Sequence, residues 1–218
     1  MVESLMVSPD HSSRADRRRR DIIETARRLF IERGFHATGV AQIARESGIA
    51  VGQMYRDFAS KEDIVAALVQ EDCAKFLRAD ALRSAIDSAD PESILTWILG
   101  LLESDQDRNS KRLFSEIVAE SARNERIASI VIELRRKLQL TVQNALTQLL
   151  PDPALTEQRC ALGDIILTCS IGLLHHELLA PDLEVPPLVQ TMQTMIKEKL
   201  EALAAAHPAA PGGGDDQP

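Results

Sequence analysis

Apolar residues recur every third or fourth position along most of this chain, and nowhere do they alternate with polar ones long enough to build a strand. Ile22, Ala26, Leu29 and Phe30 fall at i, i+4, i+7 and i+8, one stripe of a helix whose other face carries arginines. Gly34 stands where a helix-terminating glycine belongs, and no Asn-Gly hairpin signal occurs. The spacing predicts a first helix over 17–33, then a short one behind Thr38 as N-cap, with Val40, Ile43 and Ala44 on one side. Gly48 breaks it, and a third helix over about 50–57 carries Met54 inward. Ser60 caps a fourth, opening at Lys61, with Ile64, Leu68 and Cys73 inward. Five more are expected over 91–103, 111–123, 125–150, 156–179 and 187–206. The fold class is all-α, with nine helices and no strand.

Length and charge narrow the organisation. A chain of 218 residues can bury the core of one large or two modest domains. Residues 1–60 carry 10 Lys+Arg against 8 Asp+Glu, while the remainder carries 15 against 25. Only the N-terminal end is suited to meet a polyanion. Residues 1–16 are polar and mixed and are expected to be a disordered arm; 207–218, HPAAPGGGDDQP, read as a disordered tail. Three cysteines, Cys73, Cys160 and Cys169, form no C-x-x-C pair, which excludes a disulfide scaffold and suits a reducing compartment. Residues 1–13 lack the apolar run of a signal peptide, and Leu162–Leu179 is broken by Asp164, His175, His176 and Glu177. The expectation is a soluble cytoplasmic protein without a cofactor.

Residues 40–58 have the skeleton of a helix-turn-helix, the unit that lays its second helix in the major groove of DNA. Ala44 is small enough for the helices to cross closely, Gly48 takes the turn, and Ile49 and Met54 pin the second helix to the core. Written out, Gly34-Phe35-x-x-Thr38-x-x-x-x-Ile43-Ala44-x-x-x-Gly48-Ile49-x-x-x-x-Met54-Tyr55-x-x-Phe58-x-x-Lys61-Glu62-x-Ile64 resembles the TetR family of bacterial transcriptional regulators (TetR/AcrR type). The resemblance is dense over about 17–65, and Glu116-x-x-x-Glu120-Ser121-Ala122-Arg123-Asn124 resembles a less specific family segment. It implies a two-domain architecture: a three-helix DNA-binding domain over 17–62 and a larger ligand-binding and dimerisation domain over 63–206.

The resemblance also implies roles. Thr38 and Tyr55 would hold phosphate oxygens through their hydroxyls, and Lys61 would supply a phosphate charge. Val51, Gly52, Gln53 and Arg56 lie on or near the recognition helix, where Gln53 can read adenine and Arg56 can reach guanine or a phosphate. Gly39 and Arg45 complete the DNA-binding set, and Phe58 closes the small core. Two departures bear on specificity. Gly39 stands where the family often has a hydroxyl residue, and Ala50-Val51 stands where it often has Ser-Lys. The Arg17–Arg20 run reads either as a tracker of the DNA backbone or as a solvated charge run.

In the larger domain, Ile165–Leu179 is apolar almost all round and needs partners on two sides. TetR-like proteins dimerise through their last two helices, which implies an interface of Ile166, Ser170, Leu173, Leu174, Met192, Met195 and Ile196. A ligand pocket would draw on Phe76, Trp97 and Phe114, the three aromatics beyond the DNA-binding region, with Ile117 and Cys169. His175, His176 and Cys169 lack a third ligand at useful spacing, and His176-Glu177-Leu178-Leu179-Ala180 lacks the second histidine of H-E-x-x-H, so no metal site is expected. No G-x-S-x-G or glycine-rich phosphate loop supports an enzyme. The function expected is a homodimeric repressor released from a palindromic operator by a small-molecule effector. The alternatives are a TetR-like activator and a helical protein-interaction scaffold without ligand sensing.

Overall fold

The structure, a computed structural model, describes residues 14–103, 107–180, 182 and 184–207. Most of the expected N-terminal arm and nearly all of the tail lie outside them. Among the described residues there are ten α-helices and no strand: α1 (Arg14–Arg33), α2 (Val40–Glu46), α3 (Val51–Asp57), α4 (Lys61–Leu77), α5 (Ala79–Asp87), α6 (Pro91–Gly100), α7 (Arg108–Glu120), α8 (Glu125–Leu149), α9 (Thr156–Leu179) and α10 (Val185–Ala206). The all-α expectation holds, with one helix more than the nine read from spacing. The extra helix is α5, separated from α4 by Arg78 in the left-handed region (φ 43°, ψ 51°). A non-glycine residue there leaves no mark in a sequence. The chain divides into two compact units, one to Leu68 and one from Val69.

In the first unit the stripe of α1 is buried as its spacing demands. Ile22, Leu29 and Phe30 are sealed from solvent together with Ile43, Ala44, Met54, Ile64 and Val65. Each large side chain so buried contributes about 1.5–3 kcal/mol. Gly34 (φ 81°) ends α1, its N–H donating to the Phe30 carbonyl at 2.8 Å. Gly48 (φ 70°) makes the α2–α3 turn; a Cβ there would meet nothing within 4 Å, so the demand for glycine is conformational. Ser60 caps α4 by accepting the Asp63 N–H at 3.2 Å.

The second unit is built on α6, α8 and α9, with Ile98, Val142, Ala145, Leu146 and Ile166 fully buried. Gly163 lets α9 approach α8: a Cβ there would touch Val142 at 3.5 Å and Leu146 at 3.6 Å. Asp90, Asp107 and Asn124 cap α6, α7 and α8, each accepting two backbone N–H groups. Buried Arg159 donates at 2.6 Å to the carbonyls of Leu150 and of Asp152, satisfying the chain where α8 ends. The segment Pro153–Leu179 is, by length and composition, apolar enough to cross a membrane, contrary to the expectation from its charged residues. Here its Leu162, Gly163, Ile166, Leu167 and Leu173 are buried in the unit's core.

Candidate nucleic-acid interface and ligand cavity

The turn at Gly48 presents α3 with one face in the core and the other in water. Met54 has no exposed surface, whereas Val51 and Tyr55, one turn apart, are 45% and 53% exposed. Gly52 adds open space on that helix, and Arg56 is exposed beside Tyr55. Arg45, its side chain 73% exposed, stands 3.8 Å from Glu46. An exposed tyrosine and an exposed valine on a short, well-anchored helix are unexplained by packing. They suit contact with a partner.

Asp57, the last residue of α3, gathers the polar groups around it. Arg18 of α1 donates to both of its carboxylate oxygens, at 2.5 and 2.9 Å, and Gln53 donates its amide N–H at 3.2 Å. Arg19 donates to the Asp57 carbonyl and lies over the Phe58 ring, 4.1 Å from its centre. The Arg18 bond, aided by Gln53, holds the Asp57 carboxyl below the usual carboxylate range. Arg56 in turn donates to the Gln53 carbonyl oxygen. The run 17–20 is therefore split: Arg18 and Arg19 fold onto Asp57, while Arg17 and Arg20 are exposed.

Two side chains named for phosphate contact are engaged within the unit. Thr38 is fully buried and does not cap α2, whose N-cap is Gly39 in extended backbone without a side-chain cap bond. The Thr38 hydroxyl donates to the Gly34 carbonyl at 2.9 Å, securing the end of α1. Burial therefore corrects its hydroxyl role. Lys61 donates to the Phe35 carbonyl at 2.7 Å and sits 3.9 Å from the centre of the Phe35 ring. Sequence reasoning missed Asp57, whose only local signal is an acid at a helix C-terminus, where the helix dipole disfavours it. It also missed Gln42, whose amide nitrogen is enclosed with no partner among the described residues.

Residues 22–68 match the family of bacterial regulatory proteins designated tetR. The DNA-binding segment of the TetR family is thus present within the first unit. It is 38% identical over 64 residues to the HTH-type transcriptional regulator HbdR of Aromatoleum, 29% of this chain and 27% of that protein. It is 45% identical over 53 residues to the HTH-type transcriptional repressor KstR2 of Mycobacterium tuberculosis, 24% of this chain and 26% of that protein. The matches thus span about a quarter of these relatives' lengths. A TetR transcription regulator from Haloarcula marismortui shares the fold over 85% of this chain and 97% of its own, at a TM-score of 0.64 and 16% identity.

The larger unit contains an apolar cavity, open to solvent on one side, between α4, α7, α8 and α9. Phe76, Phe114 and Ile117 line it, as do Leu134, Leu138, Leu167, Ile171 and Leu174. Asp72, Cys73 and Ser170 are its polar wall, and burial raises the Cys73 thiol above its ordinary value. Trp97 and Cys169 are not in the wall. The Trp97 indole N–H donates to the Leu77 carbonyl at 2.6 Å, which turns the ring into the core, and Cys169 packs against that core. Lys111 of α7, nearly buried, pairs with Glu177 of α9 and ties the two helices together. Among the described residues no group of three or more His, Cys, Asp and Glu could hold a metal ion.

The residues assigned to a dimer face divide by burial. Ile166, Leu173 and Ile196 are enclosed within their own chain and are corrected to core, while Met192 is half-buried against the same core. Ser170 and Leu174 belong to the cavity wall, the Ser170 hydroxyl lying 2.9 Å from the carbonyls of Leu101 and Ile166. Met195 is 64% exposed; Ile165, Gly172 and Leu179 are exposed on α9. A helix apolar on nearly every side has no single stripe, so periodicity alone does not separate these exposed positions from buried Ile166 and Leu173.

Proposed function

We propose that this chain is a DNA-binding transcriptional regulator of the TetR family, a homodimeric repressor released from a palindromic operator by a small molecule. The exposed face of α3 carries the reading: Val51, Gly52, Tyr55 and Arg56 project from a helix anchored by Met54. The names of the relatives, a regulator and a repressor, support it. Tyr55 offers a phenol to a phosphate, Gln53 and Arg56 face base edges, and the N-terminal end of α2 at Gly39 offers backbone N–H groups.

A second copy of the chain covers Ile165 and Leu179 of α9 and Met195 of α10, large apolar side chains exposed on their own chain, with exposed Gly172 allowing close approach. Two-fold pairing gives two α3 helices and hence a two-fold operator. The effector is apolar and neutral or cationic, since the cavity wall is aliphatic and aromatic with Asp72 as its one charged residue. Val69, Asp72, Cys73 and Phe76 of that wall belong to α4, the helix opened by Lys61. A ligand that binds one arrangement of α4 better than another shifts DNA affinity by that difference and no more.

Footprinting on DNA from upstream of the chain's own gene tests the proposal. Two protected half-sites, centred about 10 base pairs apart or a multiple of that, are expected. A hydrophobic dye that fills the cavity should weaken them. A single unpaired footprint would overturn the dimer, and protection without sequence preference would overturn the operator.

A further inference from the structure

We propose that Asp57 is a specificity-determining positioning residue, one that fixes the amide of Gln53 for base reading and withholds Arg18 from the phosphates. The inference rests on the reading of α3 as the helix that meets DNA. A carboxylate at the last residue of a helix is repelled by the partial negative charge of that terminus, so local structure does not account for it. What accounts for it is the pair of groups it holds. Its side chain is only 9% exposed, and both oxygens are taken in a two-pronged bond by Arg18, 39 residues earlier.

The remaining bond fixes Gln53. Its amide nitrogen donates to Asp57 and its carbonyl accepts from Arg56, so both ends of the amide are held and the group faces one way. One N–H and one lone pair stay unused, the pair that bidentate recognition of adenine requires. Without Asp57 the amide loses its donor-side anchor and can turn over. The same loss frees a guanidinium beside the recognition helix, adding attraction to any phosphate backbone whatever its sequence. Asp57 therefore lowers general affinity while raising discrimination.

The test uses a duplex selected by the full-length wild-type chain from a random pool, with a scrambled duplex as control, across a salt series. Asp57→Ala should cut the preference for the selected duplex about tenfold. It should also tighten binding to the scrambled duplex and steepen the salt slope by about 0.9 per freed Arg18. Adding Arg18→Ala should abolish the steepening and leave the preference low, a result that a tether between α1 and α3 would not give. Asp57→Asn, which keeps the shape, should show the same signs if the alanine variant folds poorly. Unchanged preference and slope overturn the inference, as does an equal loss of affinity for both duplexes. A wild type that selects no sequence overturns the reading of α3 itself.

Discussion

The unit ending at Leu68 and the unit beginning at Val69 solve the same packing problem in different ways. The first sets two seven-residue helices against the longer α1, and its turns each need a particular residue: Gly34 and Gly48 at positive φ, Ser60 at a cap, buried Thr38 tying down the end of α1. The second starts three of its helices with Asp or Asn caps, packs them through generic aliphatic residues and keeps a cavity among them. A small unit that must present α3 at a fixed angle has little room for substitution. The second unit, with aliphatic and aromatic walls around its cavity, has no such fixed positions there. The first unit is thus specified by chemistry at named positions, and the second by apolar packing around a space.

The largest effect that would sharpen this contrast is at the centre of the first unit. Phe30→Ala, at a fully buried ring in contact with Phe35, should destabilise the fold by about 3–5 kcal/mol in urea denaturation and remove DNA binding. A loss under about 1 kcal/mol would mean that the unit can repack, against the picture of tight constraint. Trp97→Phe in the second unit leaves the Leu77 carbonyl without its buried donor, and should cost about 1–3 kcal/mol. Its cavity should still take up a hydrophobic dye, because Trp97 is not in the wall; lost uptake would move the pocket. Asn124→Ala removes the α8 cap and should cost about 0.5–2 kcal/mol, read as a lowered melting temperature with DNA binding kept.

Acid gives a subtler comparison. The Arg18 and Gln53 bonds hold the Asp57 carboxyl below its usual range, and Ser110 with the backbone does the same for Asp107. A group depressed in the folded state stabilises above its unfolded value, near ~3.9, and that stability is lost as pH falls through the folded value. Denaturation midpoints should therefore fall below about pH 4 in both units, and Asp57→Asn should flatten the fall. A midpoint that rose on acidification would contradict the assigned bonds.

The same contrast decides what could be read in advance. The helix-turn-helix was legible because glycine at Gly34 and Gly48, and small Ala44 at the crossing, have few physical substitutes. The cap at Thr38 was misread because threonine serves equally as a cap or as a buried donor, and only burial tells them apart. The α4–α5 break was invisible because Arg78 adopts the left-handed region without the glycine that usually marks it. Ile166 and Leu173 went to an interface because α9 is apolar almost all round, and periodicity cannot say which apolar side faces out. The Arg18–Asp57 bonds span 39 residues, beyond any local pattern.

The most direct test of the central claim is fluorescence anisotropy of the wild-type chain and of Tyr55→Ala on DNA from upstream of its own gene, over a salt series. Tyr55 is exposed and outside the core, so the variant should melt within about 0.5 kcal/mol of the wild type. Losing its bond to a charged phosphate should weaken DNA binding by about 1.5 kcal/mol or more, on the order of tenfold. The wild type should bind saturably and lose affinity steeply with salt. Equal affinity in the two proteins, or wild-type binding no tighter than to scrambled DNA, would contradict the assignment of the exposed α3 face as the surface that reads DNA.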